Sequence, residues 1–302
     1  MASPQTGIFA LGTSSHAYLE FDVRATSPSE DAVRRVAGLR EPRTTIGGVN
    51  VVAGFRPRLW REVAPSMSPP GVQDFEAPIV GEDEYTLPAT QHDIVIWLTG
   101  ASYDVVFDLS HAIVRDLADC AQLSTETVGW PYHHDLDATG FIDGTENPTL
   151  VEAMDVAIVP PGSAGEGSSV LLLQRWEHDA DAWEQLPVER QEAIIGRRRA
   201  DSAELDPVPP ASHVARTDQD TFGKIFRRNI PYGSVSAHGT IFVGFSADQE
   251  RLNAMLESMV GLGDGPRDDL TRFTRAVSGA YYVIPSIEAL AAFGDSDTES
   301  QP

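Results

Sequence analysis

Three short stretches carry residue types that could do chemistry. The first is GFIDGTENP, Gly140 to Pro148, where the apolar Phe141 and Ile142 run into Asp143 and then into the turn formers Gly144, Asn147 and Pro148. An apolar pair followed by an acid and a glycine predicts a carboxylate on a tight loop at the edge of a core, placed to exchange protons. A lone Asp-Gly pair is ordinarily just a turn, so the reading depends on its company. The second stretch is PVPPASHVAR, in which prolines restrain the backbone before His213 and could present one imidazole nitrogen to a metal. The third is IFRRNIPYG, where Arg227, Arg228 and Asn229 lie between a core segment and a turn. A solvated basic pair is the plain reading, but an arginine held near a buried carboxylate would stabilise developing negative charge. The other histidines, His16, His92, His111, His133, His134, His178 and His238, have no such setting. His133 and His134 make a poor chelate, because neighbours on a strand point to opposite faces.

Elements that could position these groups follow in order. AYLEFDV, from Ala17 to Val23, alternates as a half-buried strand, and Ser27 to Leu39 reads as a helix with a serine cap and Pro28 in its first turn. Gly47 to Phe55 is a second strand, Pro65 to Thr90 a long irregular loop, and His92 to Leu98 a third strand with both faces buried. An amphipathic helix is predicted over Tyr103 to Leu123, then a strand over Thr125 to Trp130. Beyond a glycine-rich link, Gly162 to Gly167, the order recurs: a strand from Ser169 to Trp176, helices from His178 to Ile195 broken at Pro187, and a strand from Gly239 to Phe245. A helix from Asp248 to Met259, a strand from Tyr281 to Ile284 and a short helix from Ile287 to Phe293 complete it. The pattern predicts an α+β fold of two duplicated halves, 1–161 and 162–294, with antiparallel sheets packed against helices, and an acidic tail, 295–302. The halves repeat in pattern, not residue by residue.

Composition narrows the partners. The chain has 302 residues, a hydrophobic fraction of 41% and a net charge of −23, which suits a soluble globular protein and would repel nucleic acid or an anionic membrane. Its one cysteine, Cys120, excludes an internal disulfide or a cysteine metal cluster and reads as a small core residue in a helix-like stretch. MASPQTGIFALG has no basic leader or long apolar run, which predicts no signal peptide and a cytoplasmic location.

Taken together and in this order, GFIDGTENP, the SHV around His213 and RRNIPYG resemble the dye-decolorizing peroxidases, specifically the bacterial B-type branch. The likeness runs from about Gly7 to about Phe293, through IFALGTSSHAYLEFD and AVSGAYYVIPS. The resemblance implies haem b, two ferredoxin-like halves around a haem pocket, hydrogen peroxide as substrate and small organic electron donors such as dyes, oxidised through an oxo-ferryl intermediate. It implies His213 as axial iron ligand, with Asp143, Arg227 and Asn229 on the peroxide face. Gly144 would let the backbone approach the porphyrin, and Phe242 would pack on the ring. Asp268, beside Asp269, would hydrogen-bond the axial histidine, and Arg197, beside Arg198 and Arg199, would meet a haem propionate. Trp130, Trp176, Trp183 and Tyr232 are the candidates for an electron relay. Some relatives dock through a C-terminal extension inside a protein shell; the short polar tail after Gly294 carries no such address, and a homo-oligomer stays open. The alternative is a haem-binding or haem-handling protein with incidental peroxidase activity.

Overall fold

Strand β1 (Ser15–Val23) sets the pattern for the whole sheet, because its alternate side chains enter two different cores. Ala17, Leu19 and Phe21 join a cluster with Val33, Val36 and Leu117, whereas Tyr18 joins Trp97, Leu173 and Phe245. The strand is therefore buried on both faces, not on one as its alternation suggests. Its polar residues point into an interior, where the Tyr282 hydroxyl donates to Glu20 at 2.6 Å. The computed structural model describes residues 2–39 and 48–294. The acidic tail and the first residue of the strand read from Gly47 lie outside the described residues.

In the first half the order is β1, α1 (Ser29–Ala37), β2 (Val49–Phe55), α2 (Pro57–Val63), a small hairpin of β3 (Ile79–Val80) and β4 (Thr86–Leu87), β5 (Ile94–Gly100), α3 (Tyr103–Leu117), β6 (Ala121–Gly129) and α4 (Leu150–Ala157). The second half has β7 (Ser169–His178), α5 (Ala180–Glu184), α6 (Val188–Ile195), α7 (His213–Arg216), α8 (Gln219–Phe222), β8 (Phe226–Arg227), β9 (Ile230–Ser234), β10 (Ala237–Ser246), α9 (Gln249–Met259), β11 (Thr274–Ala276), β12 (Ala280–Ile284) and α10 (Ile287–Gly294). The sheet order β2-β5-β1-β6 in the first half and β12-β7-β10-β9 in the second, all antiparallel, is the same β-α-β-β-α-β ferredoxin-like arrangement twice.

The two sheets meet edge to edge. Phe55 pairs with Val283 at one seam and Gly129 with Tyr232 at the other, so the eight principal strands close into a ring. Its inside is filled by Tyr18, Trp97, Leu171, Val243, Phe245 and Tyr282. Outside, α1 and α3 pack directly on the first sheet. On the second sheet, the outward Leu172 and Phe242 share a cavity with Leu252, Met255 and Leu256 of α9, so this half leaves a space where its twin is solid.

Several boundaries differ from the sequence reading. The helix from Tyr103 stops at Leu117, residues 118–120 turn, and residues 121–123 belong to β6, whose pairing with β1 outweighs continued helical periodicity. Cys120 is buried, as expected, but in the turn between them. Helix α1 is capped by Pro28 without a side-chain bond, not by Ser27. His133 and His134 occupy a turn at φ 43° and 69°, not a strand.

Candidate active site

The loop after β6 folds onto itself before it reaches Asp143. Asp137 N–H donates to Phe141 O at 2.9 Å, Gly140 N–H returns to Asp137 O at 2.9 Å, and Thr139 N–H is held by Asp137 Oδ1 at 2.8 Å, an Asx turn. Gly140 has φ 84°, the left-handed region that favours glycine, and the Arg199 guanidinium packs over the space a Cβ would take. Only the first of the apolar pair enters the core: Phe141 is buried against Trp183, while Ile142 is exposed on the cavity rim. Asp143 follows, with Oδ1 accepting from Gly144 N–H at 2.7 Å and from Asn229 Nδ2 at 3.3 Å. Gly144 sits at φ 71°, the left-handed region that the sharp turn after Asp143 requires.

The arginine pair divides between two faces of the sheet. Arg227 lines the cavity beside Asp143 and Asn229. Arg228 instead enters the ring interior, where its guanidinium lies 5.1 Å from the Trp97 ring and donates to Ile8 O and Ala10 O, both at 2.8 Å. It is 9% exposed, which overturns the plain reading of a solvated basic pair. Arg227 is fixed through its backbone: Asn147 Oδ1 accepts its N–H and Asn147 Nδ2 donates to its carbonyl, each at 2.9 Å. The Arg227 Nε is buried without a partner among the described residues. Asn229 is anchored by Val243 N–H donating to its Oδ1 at 3.0 Å.

His213 opens helix α7, with Ser212 as N-cap. Its Nδ1 lies 2.7 Å from Asp268 Oδ2, and Asp268 is fully buried, its Oδ1 accepting from Leu270 N–H at 2.8 Å. Asp269 faces outward to Arg190 and Arg272, which settles which of the two acids meets the imidazole. Of the three consecutive arginines only Arg197 lines the cavity; it pairs with Glu146 and with Glu204 at 3.1 Å, while Arg198 pairs with Asp201 on the surface. Trp176 is the one relay candidate that lines the cavity, and Trp183 is buried beneath the loop, donating to Thr139 O at 3.0 Å.

One cavity thus collects His213, Asp143, Gly144, Arg227, Asn229, Arg197 and Phe242, and Asp268 stands behind His213. The free space at its centre is about 160 Å³, and about 1220 Å³ when the open mouth is counted. Desolvation at its wall pushes the Asp143 carboxyl above the ordinary carboxylate range; the Arg227 charge opposes this and the Asp137 charge adds to it. Burial lowers His178, also on the wall, against an opposing pull from Asp137. Sequence reasoning took Asn147 only for a turn former and passed over Asp137 and Glu146; the polar run of the loop was the sole signal for all three.

The cavity thus has a carboxylate, an arginine and an asparagine on one wall and a carboxylate-backed imidazole opening onto it. Residues 5–131 match the family described as Dyp-type peroxidase, N-terminal, and residues 134–289 that described as Dyp-type peroxidase, C-terminal. The chain belongs to the Dyp-type peroxidase family, and it is a peroxidase. A dye-decolorizing peroxidase of Brevibacterium linens is 33% identical over 252 residues, 80% of this chain and 68% of the relative. A dye-decolorizing peroxidase structure from Bacteroides thetaiotaomicron superposes with a TM-score of 0.89 at 26% identity, covering 97% of this chain and 99% of that one. A variant of the Rhodococcus jostii DypB protein, solved in complex with haem, gives 0.86 at 28% identity, covering 97% and 99%.

Proposed function

We propose that the chain is a haem b peroxidase of the B-type branch, reducing hydrogen peroxide and oxidising small organic donors such as dyes, with the cofactor held in the cavity between His213 and the Asp143–Arg227 wall. The observation that carries this reading is the His213–Asp268 pair at 2.7 Å opening onto a largely apolar cavity. The fit is chemical. A proton on Nδ1, held by Asp268, leaves the Nε2 lone pair for iron, and carboxylate backing is the usual support of a metal-bound imidazole. Leu172, Phe242, Leu252 and Met255 offer apolar surface for a macrocycle, with Arg197 at the cavity edge for a propionate. Arg227 Nε and Gln174 Nε2 are buried donors with no acceptor among the described residues.

Haem, when bound there, would supply the redox chemistry that links peroxide reduction to oxidation of the donor. Asp143 takes a proton from the bound peroxide and returns it to the departing oxygen. Arg227 offsets the negative charge that develops there, with its main chain fixed by Asn147. Asn229 orients the Asp143 carboxylate through the contact at 3.3 Å. Gly144 leaves the wall without a side chain, and Phe242 closes the apolar floor. We place the boundary of the two halves at the Gly162–Gly167 link, although the family matches divide between residues 131 and 134. A cytoplasmic setting agrees with the free, buried Cys120. Among the described residues no helix is long and apolar enough to cross a membrane. A steady-state assay with peroxide and a dye, run beside a haem-transfer assay, tests the reading: turnover above free haem is expected, and turnover no greater than free haem, with transfer intact, would replace the enzyme by a haem carrier.

A further inference from the structure

Two carboxylates, not one, stand on the distal wall. Asp137 and Asp143 both line the central cavity and an adjoining one of about 170 Å³, and Arg227 lines both as well. The Asp137 carboxylate is fixed at each end, Oδ1 by Thr139 N–H at 2.8 Å and Oδ2 by the Thr240 hydroxyl of β10. Among the described residues no Arg, Lys or His forms an ion pair with it. Arg227 is the arginine that lines both cavities with the two carboxylates.

We infer that Asp137 is a positioning residue of the peroxide site, its carboxyl group anchored by Thr139 and Thr240 on the wall it shares with Asp143 and Arg227, where it acts through Asp143. The inference rests on Asp143 being the proton acceptor. The charge relations agree in direction: Asp143 is raised first by burial, lowered by Arg227 and raised again by Asp137, and His178 also feels Asp137. Around Asp143 the other ionisable groups are Arg227 from β8, His178 at the end of β7, and His134 and Asp135 from its own loop. His213 and the Arg197–Glu146 pair stand further round the cavity. Removing Asp137 takes away the one fixed charge that opposes Arg227 at Asp143.

Asp137 also shapes its Asx turn, so the test must separate charge from shape. Asp137→Asn removes the charge and keeps an oxygen for Thr139 N–H, while its amide meets the Thr240 hydroxyl, which can turn to accept from it. Two readouts apply. In the haem-free protein, the ¹³C signal of the Asp143 carboxyl is followed against pH; in the loaded enzyme, the second-order rate with peroxide is followed against pH. In the variant, Asp143 is expected to ionise at lower pH. On the acid limb the rate should rise about 3- to 10-fold, with the plateau unchanged. Asp137→Ser, which keeps a turn-forming oxygen, should act in the same direction and serves if the asparagine variant fails to fold. In an Asp143→Asn background, Asp137→Asn should shift nothing. Coincident titrations of Asp143 in wild type and both variants would overturn the inference. A wild-type peroxide rate in Asp143→Asn would instead overturn the role of Asp143 as base, while the haem-free titration still reads the coupling.

Discussion

Asp268→Asn tests the support behind His213. In the wild type the Nδ1–H of His213 meets a fully buried carboxylate at 2.7 Å, whose other oxygen holds Leu270 N–H at 2.8 Å. Asparagine has one carbonyl oxygen for these two donors, so one is left facing an amide, and the charge is gone in either case. A hydrogen bond to a charged group contributes about 1.5–3 kcal/mol against about 0.5–1.5 for a neutral one. The loss is therefore roughly 1–1.5 kcal/mol, and at about 59 mV per 1.4 kcal/mol for one electron it corresponds to about 45–65 mV. The sign follows from the donor: a carboxylate makes the imidazole more electron-rich and favours oxidised iron, so the variant's reduction potential should rise by roughly that amount. Spectroelectrochemical titration of wild type and variant reads it directly, with circular dichroism to check that α7 and the following chain are intact. A potential that is unchanged, or that falls, would refute the role given to Asp268.

The remaining predictions concern the distal wall and the ring interior. Arg227→Ala should slow the peroxide step about 10²- to 10³-fold in stopped-flow measurements, as expected for losing a fixed positive group at developing charge; an unchanged rate would contradict that role. Because Asp143 is raised by burial, the wild-type rate should begin to fall on acidification at a pH above that of an ordinary carboxylate, and this limb should vanish in Asp143→Asn. Glu20 is likewise raised, mainly by burial, with the Tyr282 hydroxyl partly offsetting it. Its folded-state pKa lies above the unfolded value, so its contribution to stability is complete below the unfolded carboxyl range and lost as pH rises through the folded pKa. Glu20→Gln should remove that decline; thermal melts that keep the wild-type pH dependence would show that Glu20 is not its source.

Much of the site was legible because its groups sit in short runs whose local chemistry is distinctive. Asp143 in its turn, His213 after the prolines and Arg227 before Asn229 all reach one cavity. The duplicated strand and helix order was legible too, since β7, β10 and α9 each carry a clear period. What escaped depends on contacts between distant parts of the chain. The closure of the sheets into a ring rests on Phe55–Val283 and Gly129–Tyr232, and neither pair leaves a local signal. The same closure hides Arg228 and Glu20 from solvent, so polar residues that read as surface are buried. Helix α3 reads as running on to Leu123 because Ala118, Cys120, Ala121 and Leu123 supply further apolar positions, and only the pairing with β1 decides that residues 121–123 form a strand. Asn147 reads as a turn residue until β8 arrives beside it from about 80 positions away.

The most direct measurement is the visible spectrum of the haem-loaded protein beside that of His213→Ala. A strong Soret band in the wild type, lost or shifted in the variant and restored by added imidazole, is the predicted result. A variant spectrum identical to the wild type, with no response to imidazole, would contradict His213 as the iron ligand and with it the placement of the cofactor in this cavity.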